Sequence, residues 1–79
     1  MSVIKLNGAE SPLNPGTTLN LLVTQVTGRV LRSNGNPTDG GRLGVAVAHN
    51  AGVVPRSQWS KTVLNHGDEV EIVTAVQGG

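Results

Sequence analysis

Glu69-Val70-Glu71-Ile72-Val73-Thr74-Ala75-Val76, followed at once by Gln77-Gly78-Gly79, is the stretch on which the reading of this chain turns. Val70, Ile72, Thr74 and Val76 fall on one face of an extended segment, and Glu69 and Glu71 fall on the other. That is the period-two pattern of a strand with one face toward a core. The strand runs straight into two glycines. Residues without a Cβ can thread a narrow channel, but they cost ordering entropy that a purely structural end gains nothing from. The one reactive group such an end carries is the α-carboxylate of Gly79. Three extended residues reach about 10 Å, enough to carry it off a folded body and into another protein's active site. Frayed ends and expression scars are the commoner origin of such a terminus, so the remainder of the chain has to decide between them.

The chain has 79 residues, enough for one domain with a small core. Trp59 is its single aromatic residue, so valine, leucine, isoleucine and alanine must fill the interior. There is no cysteine, which removes disulfides and zinc–thiolate sites as supplements to that core. A formal charge of +1 is too small for general attraction to nucleic acid or acidic membranes, and one aromatic is too few for stacking on single strands. Met1-Ser2-Val3-Ile4-Lys5 opens without a long apolar run, so neither a signal peptide nor a membrane span is expected there. The expectation is a cytoplasmic protein, monomeric when free.

Working back from the last strand, Val3-Ile4-Lys5-Leu6 reads as a first strand with Ile4 and Leu6 on one face. Asn7-Gly8 is a strong hairpin-turn signal. The returning strand Ala9-Glu10-Ser11-Pro12-Leu13 contains a proline that cannot donate to a ladder, which places it at a sheet edge. Thr17-Thr18 supplies a helix N-cap, and Leu19, Leu22, Val23 and Val26 recur at the spacing of one buried helical face. From Gly28 to Gly44 the chain holds five glycines, Pro37 and three arginines, Arg29, Arg32 and Arg42. A long solvated loop is expected there, with arginine contacts to a phosphate or an acidic partner as the rival reading.

Val45-Ala46-Val47-Ala48 alternates large and small apolar residues, as in a strand covered on both sides or facing a closely packed helix. Asn50-Ala51-Gly52 turns it into Val53-Val54-Pro55, and Ser57 to Lys61 reads as a short helical turn that folds Trp59 onto the body. The order is a hairpin, a helix, two further strands, a short turn and a central last strand. This is the layout of an α+β, ubiquitin-like β-grasp, a mixed sheet of four to five strands wrapped around one main helix. A single domain over residues 1–76 with a flexible tail at 77–79 is expected.

Nothing in the sequence argues for catalysis by the chain itself. His49 and His66 are its only imidazoles, and with no cysteine and no nucleophile elbow a triad is excluded as a working hypothesis. A metal site built on His66 and the adjacent Asp68 has too few ligands. Strand-end and turn histidines account for the pair, and Asp68, Glu69 and Glu71 read as a solvated face able to steer a basic partner.

Val53-Val54-Pro55-Arg56-Ser57-Gln58-Trp59, then Gly67-Asp68-Glu69-Val70-Glu71-Ile72 and Val76-Gln77-Gly78-Gly79, resemble the ThiS family, the ubiquitin-like sulfur carriers of thiamine biosynthesis. The segment from Gly28 to Gly44 departs from that pattern, since the family has a shorter link there. The resemblance implies that Gly79 is the residue adenylated and converted to a thiocarboxylate. Gly78, Gln77 and Val76 would be the tail threaded into partner active sites. It implies two partners: an E1-like, ThiF-like adenylyltransferase, using ATP and magnesium, and a ThiG-like thiazole synthase as sulfur acceptor. The carrier itself would bind no cofactor and would be a protein co-substrate, not an enzyme. A small subunit of molybdopterin synthase, or a β-grasp binding module with no chemistry at its end, are the alternatives.

Overall fold

Asn7 and Gly8 take φ of 51° and 82°, the left-handed pair that a two-residue hairpin needs and that asparagine and glycine tolerate best. They join β1, Ser2–Leu6, to β2, Ala9–Leu13, in an antiparallel register from Ser2↔Leu13 to Leu6↔Ala9. The computed structural model describes residues 2–40 and 44–74. The remaining strands are β3, Val45–His49, β4, Gly52–Val53, and β5, Glu69–Thr74. Together they form a five-stranded sheet in the order β2-β1-β5-β3-β4. β5 lies in the middle, parallel to β1 and antiparallel to β3. Pro12 sits on the edge strand, where its missing N–H leaves no ladder bond unmade.

The helix α1, Leu19–Thr27, starts where Thr18 accepts the Leu21 N–H on its hydroxyl at 3.3 Å. It stops where Gly28, at φ 72°, returns its N–H to the Thr24 carbonyl, a left-handed closure that glycine adopts without a Cβ penalty. Leu19, Leu22 and Val23 are buried against the sheet, but Val26 is 44% exposed. The predicted four-residue stripe is therefore one position too long: Val26 belongs to the last turn, whose side the core does not reach. The same correction applies to Thr74, which is exposed although it shares the β5 parity of buried Val70 and Ile72.

Among the described residues ten make the core: Ile4, Leu13, Leu19, Leu22, Val23, Val47, Trp59, Leu64, Val70 and Ile72. Burying each aliphatic side chain contributes about 1.5–3 kcal/mol, so a core this small depends on nearly every member. Trp59 projects into it from a 3-10 helix, Arg56–Lys61. Its indole Nε1–H donates to the Val54 carbonyl at 3.0 Å, which satisfies the one polar atom the ring buries. β3 is covered on one face only, with Val47 buried and Ala46 exposed. The alternation of large and small residues there reflects a close-packed inner face, not a strand sandwiched on both sides.

The Gly28 to Gly44 segment departs further from expectation. Leu31 and Pro37 form a bridge, with Arg32 N–H donating to the Asn36 carbonyl at 2.7 Å and Thr38 N–H to the Val30 carbonyl at 2.9 Å. This small hairpin is docked on the body: Asn20 Nδ2 donates to the Arg32 carbonyl and Ser60 Oγ to the Ser33 carbonyl. Gly35 and Pro37 are buried. A solvated loop would hold neither residue so deeply, and the arrangement requires Gly35, at φ 85°, to pass directly beneath Arg56.

Candidate functional site

β5 is the strand that leads in sequence to the predicted site residues, and it is held from both sides. β3 pairs with it over its whole length, from Val45↔Thr74 to His49↔Val70. β1 pairs with it at Lys5↔Glu69 and Leu6↔Val70. One rung further along, the Asn7 carboxamide engages the Ile72 peptide group: Oδ1 accepts the Ile72 N–H at 2.8 Å and Nδ2 donates to its carbonyl at 3.2 Å. Val76, Gln77, Gly78 and Gly79, the residues picked out by the sequence, lie outside the described residues.

The outer face of the sheet carries Val53, 80% exposed, and Val73, 60% exposed, with Ala46 beside Val73 and Ala48 beside Val53 through the strand registers. Lys5, Glu10, Glu69 and Glu71 share this face and are exposed. The expectation of a solvated acidic face holds for Glu69 and Glu71. It does not hold for Asp68, which is largely covered and engaged in a network of its own.

Asp68 Oδ2 lies 2.8 Å from His49 Nε2 and accepts the Asn65 N–H at 2.9 Å, while Oδ1 accepts from Asn50 Nδ2 at 3.3 Å. Asn50 closes the network by accepting the Glu69 N–H on Oδ1 at 2.9 Å. Burial pushes the Asp68 carboxyl up. The His49, Asn65 and Asn50 hydrogen bonds, with the attraction of the His49 imidazole, outweigh it and hold the carboxyl below the usual aspartate range. The sequence reading assigned Asp68 to a solvated face and found only its neighbour His66 as a possible companion; the fold pairs it with His49. His66 instead turns to the first strand, accepting the Val3 N–H on Nδ1 at 3.0 Å. Both histidines therefore act near the start of β5, His49 on the Asp68 side chain and His66 on the backbone of β1.

Among the described residues no group of three or more His, Cys, Asp or Glu stands close enough to hold a metal ion, and no helix is long and apolar enough to cross a membrane. Of the three arginines in the Gly28 to Gly44 segment, Arg29 pairs with Asp39 at 3.0 Å, Arg32 is exposed, and Arg42 lies outside the described residues. Arg56 lays its guanidinium over the Trp59 ring, 5.6 Å from the centroid, and donates to Asn36 Oδ1 at 3.2 Å.

What the sequence did not reveal is the double use of Asn7. Asn-Gly was legible as a turn, but the reach of its side chain to Ile72, 65 residues away, appears only once β5 lies beside β1.

A hairpin, a helix laid across a mixed sheet, and a last strand inserted at the centre define a β-grasp protein of the ubiquitin-like class. The sequence model of the ThiS family matches residues 3–79, and the chain belongs to that family. Among solved structures it is similar to the thiamine biosynthesis protein ThiS of Geobacter metallireducens, at a TM-score of 0.67 and 22% identity over 98% of this chain and 99% of that one. That likeness bears on the fold. No curated protein matches the sequence.

Proposed function

We propose that the chain is a sulfur carrier that supplies the sulfur of the thiazole ring of thiamine, and that Gly79 is the residue that carries it. Membership of the ThiS family supports the carrier role. The observation that carries the chemical reading is the placement of β5: the central strand, hydrogen-bonded on both sides, is also the one that leads to Gly78-Gly79. A tail that must enter a partner's active site gains from starting on a strand held on both sides.

A carboxylate is a poor electrophile, so oxygen can be exchanged for sulfur only after that oxygen becomes part of a leaving group. In the proposed sequence an oxygen of the Gly79 carboxylate attacks the α-phosphorus of ATP and pyrophosphate departs, leaving an acyl adenylate. Sulfide then adds to the acyl carbon and AMP leaves with the original oxygen, giving a thiocarboxylate. An E1-like enzyme supplies ATP, magnesium and the electrostatics of this step. The thiocarboxylate is the nucleophile that a thiazole synthase consumes. The chain contributes no catalytic group. It contributes a terminal acyl carbon that two glycines leave unobstructed.

The test is the intact mass of the chain before and after incubation with ATP, magnesium, sulfide and the adenylating enzyme from the same source. The expected gain equals replacement of one oxygen by one sulfur and is absent when Gly79 is deleted. An unchanged mass with no AMP adduct would leave a β-grasp binding module without chemistry at its end.

A further inference from the structure

The parallel ladder between β1 and β5 ends early in its backbone and is completed by a side chain. Lys5 N–H donates to the Asp68 carbonyl and Asn7 N–H to the Val70 carbonyl, each at 2.9 Å. A third rung would need another residue of β1, but at Asn7 the chain turns away into the hairpin with φ 51°. The Asn7 carboxamide takes that place, presenting one acceptor and one donor to the N–H and carbonyl of Ile72 as a peptide group would. Both bonds are partly buried, where a bond lost is not fully replaced by water.

Few residues satisfy this position. It needs a side chain tolerant of the left-handed region, and it needs a donor and an acceptor on a short stem. Aspartate meets the first need and lacks the donor, and glycine meets the first and lacks both groups. Among the described residues, hydrogen bonding on the β1 side of β5 stops at Ile72, while on the other side β3 continues to Thr74. Asn7 is therefore the last hold on one flank of the strand before residues 75–79 begin.

We propose that Asn7 is a positioning residue for tail delivery: its carboxamide locks the Ile72 rung of β5, the strand that leads in sequence to Gly79, for engagement by the adenylating enzyme. The proposal rests on the sulfur-carrier reading. Asn7 carries no reactive group, and its role runs entirely through Ile72. Without the clamp, β5 frays by one rung on that flank, and the extra freedom must be removed each time the tail is inserted. That cost falls on association of carrier with enzyme, not on the attack of the carboxylate on ATP.

The experiment compares the wild-type chain with Asn7→Gly and Asn7→Asp in ATP–pyrophosphate exchange catalysed by the adenylating enzyme at varied carrier concentration, alongside amide hydrogen exchange at Ile72. In Asn7→Gly the expected result is a KM for the carrier raised about 3- to 10-fold, the effect of one or two lost hydrogen bonds, with kcat unchanged and the Ile72 amide exchanging faster. Asn7→Asp retains the acceptor for the Ile72 N–H and sets a carboxylate against its carbonyl. It should raise KM as well, and it decides the matter by the same measure if Asn7→Gly fails to fold. Wild-type KM in a folded variant, or a fall in kcat at constant KM, overturns the positioning role while leaving the carrier reading intact. Absence of exchange with the wild-type chain overturns the carrier reading and the positioning role with it.

Discussion

His49 Nε2 and Asp68 Oδ2 stand 2.8 Å apart across the junction of β3 and β5, with the side chains 21% and 14% exposed. Since the same carboxylate also accepts from Asn65 and Asn50, three segments converge on one charged group: the end of β3, the turn that follows it, and the turn that precedes β5. Loss of that group should loosen all three together. Asp68→Asn is expected to lower stability by about 1.5–3 kcal/mol, the range for hydrogen bonds to a charged acceptor, read as a shift in the urea midpoint at neutral pH.

The pH dependence follows from the direction of the Asp68 shift. Its folded-state pKa lies below the ordinary value of 3.8, so the unfolded chain takes up the proton first as pH falls. The stabilisation is fully present well above pH 3.8 and is lost as pH falls through the lower folded value. Urea midpoints measured between neutral pH and pH 2 should fall on this acid limb in the wild-type chain and fall less steeply in Asp68→Asn. Parallel curves for the two proteins would mean that the network contributes nothing to acid sensitivity.

The helix offers an internal control on the core. Leu22 is 6% exposed and Val26 44%, although both lie on the stripe that the sequence spacing defines. Leu22→Ala should cost about 2–4 kcal/mol, as should Ile72→Ala on the facing strand. Val26→Ala should shift the midpoint by no more than about 0.5 kcal/mol, the range for a surface site. Equal effects at Leu22 and Val26 would place the helix in the wrong rotation against the sheet.

Gly35 and Gly40 separate two costs that usually arrive together. Both adopt positive φ, 85° and 76°, so alanine at either is expected to cost about 1 kcal/mol through the backbone. A Cβ at Gly40 would meet nothing within 4 Å, while one at Gly35 would lie 2.7 Å from the Arg56 carbonyl oxygen and against the Arg56 stem. Gly35→Ala should therefore destabilise by clearly more than Gly40→Ala and should disturb Trp59 fluorescence, because Arg56 covers that ring. Identical losses would show that the hairpin is not pressed on the 3-10 helix in solution.

These contrasts mark where the sequence was legible and where it was not. The Asn7-Gly8 turn, the Thr18 cap and the placement of Trp59 are local: each depends on residues a few positions apart, and each was readable from type and spacing. The β5 pattern was readable because strand parity is imposed by a single buried face. Asp68 with His49, Asn7 with Ile72, and Gly35 beneath Arg56 are products of strand order and docking. A sequence pattern carries no register between β3 and β5, so Asp68 read as part of a solvated face with its chain neighbours Glu69 and Glu71, and composition favoured a solvated loop around Gly35. The predicted tail, Val76 to Gly79, lies outside the described residues, and its role rests on chemistry and family.

That role has a direct test that leaves the folded body untouched. Adding one alanine after Gly79 moves the carboxylate one residue further out and puts a Cβ at the point of attack on ATP. If Gly79 is the acyl carbon that is activated, the extended chain should melt as the wild type does and yet show neither pyrophosphate release nor gain of sulfur mass with the adenylating enzyme. Alanine at Gly78, which leaves the carboxylate in place and adds bulk one residue earlier, should slow activation without abolishing it, because the tail must pass the same walls with a single methyl group more. Full activity in the extended chain would remove the carboxylate of Gly79 from the reaction.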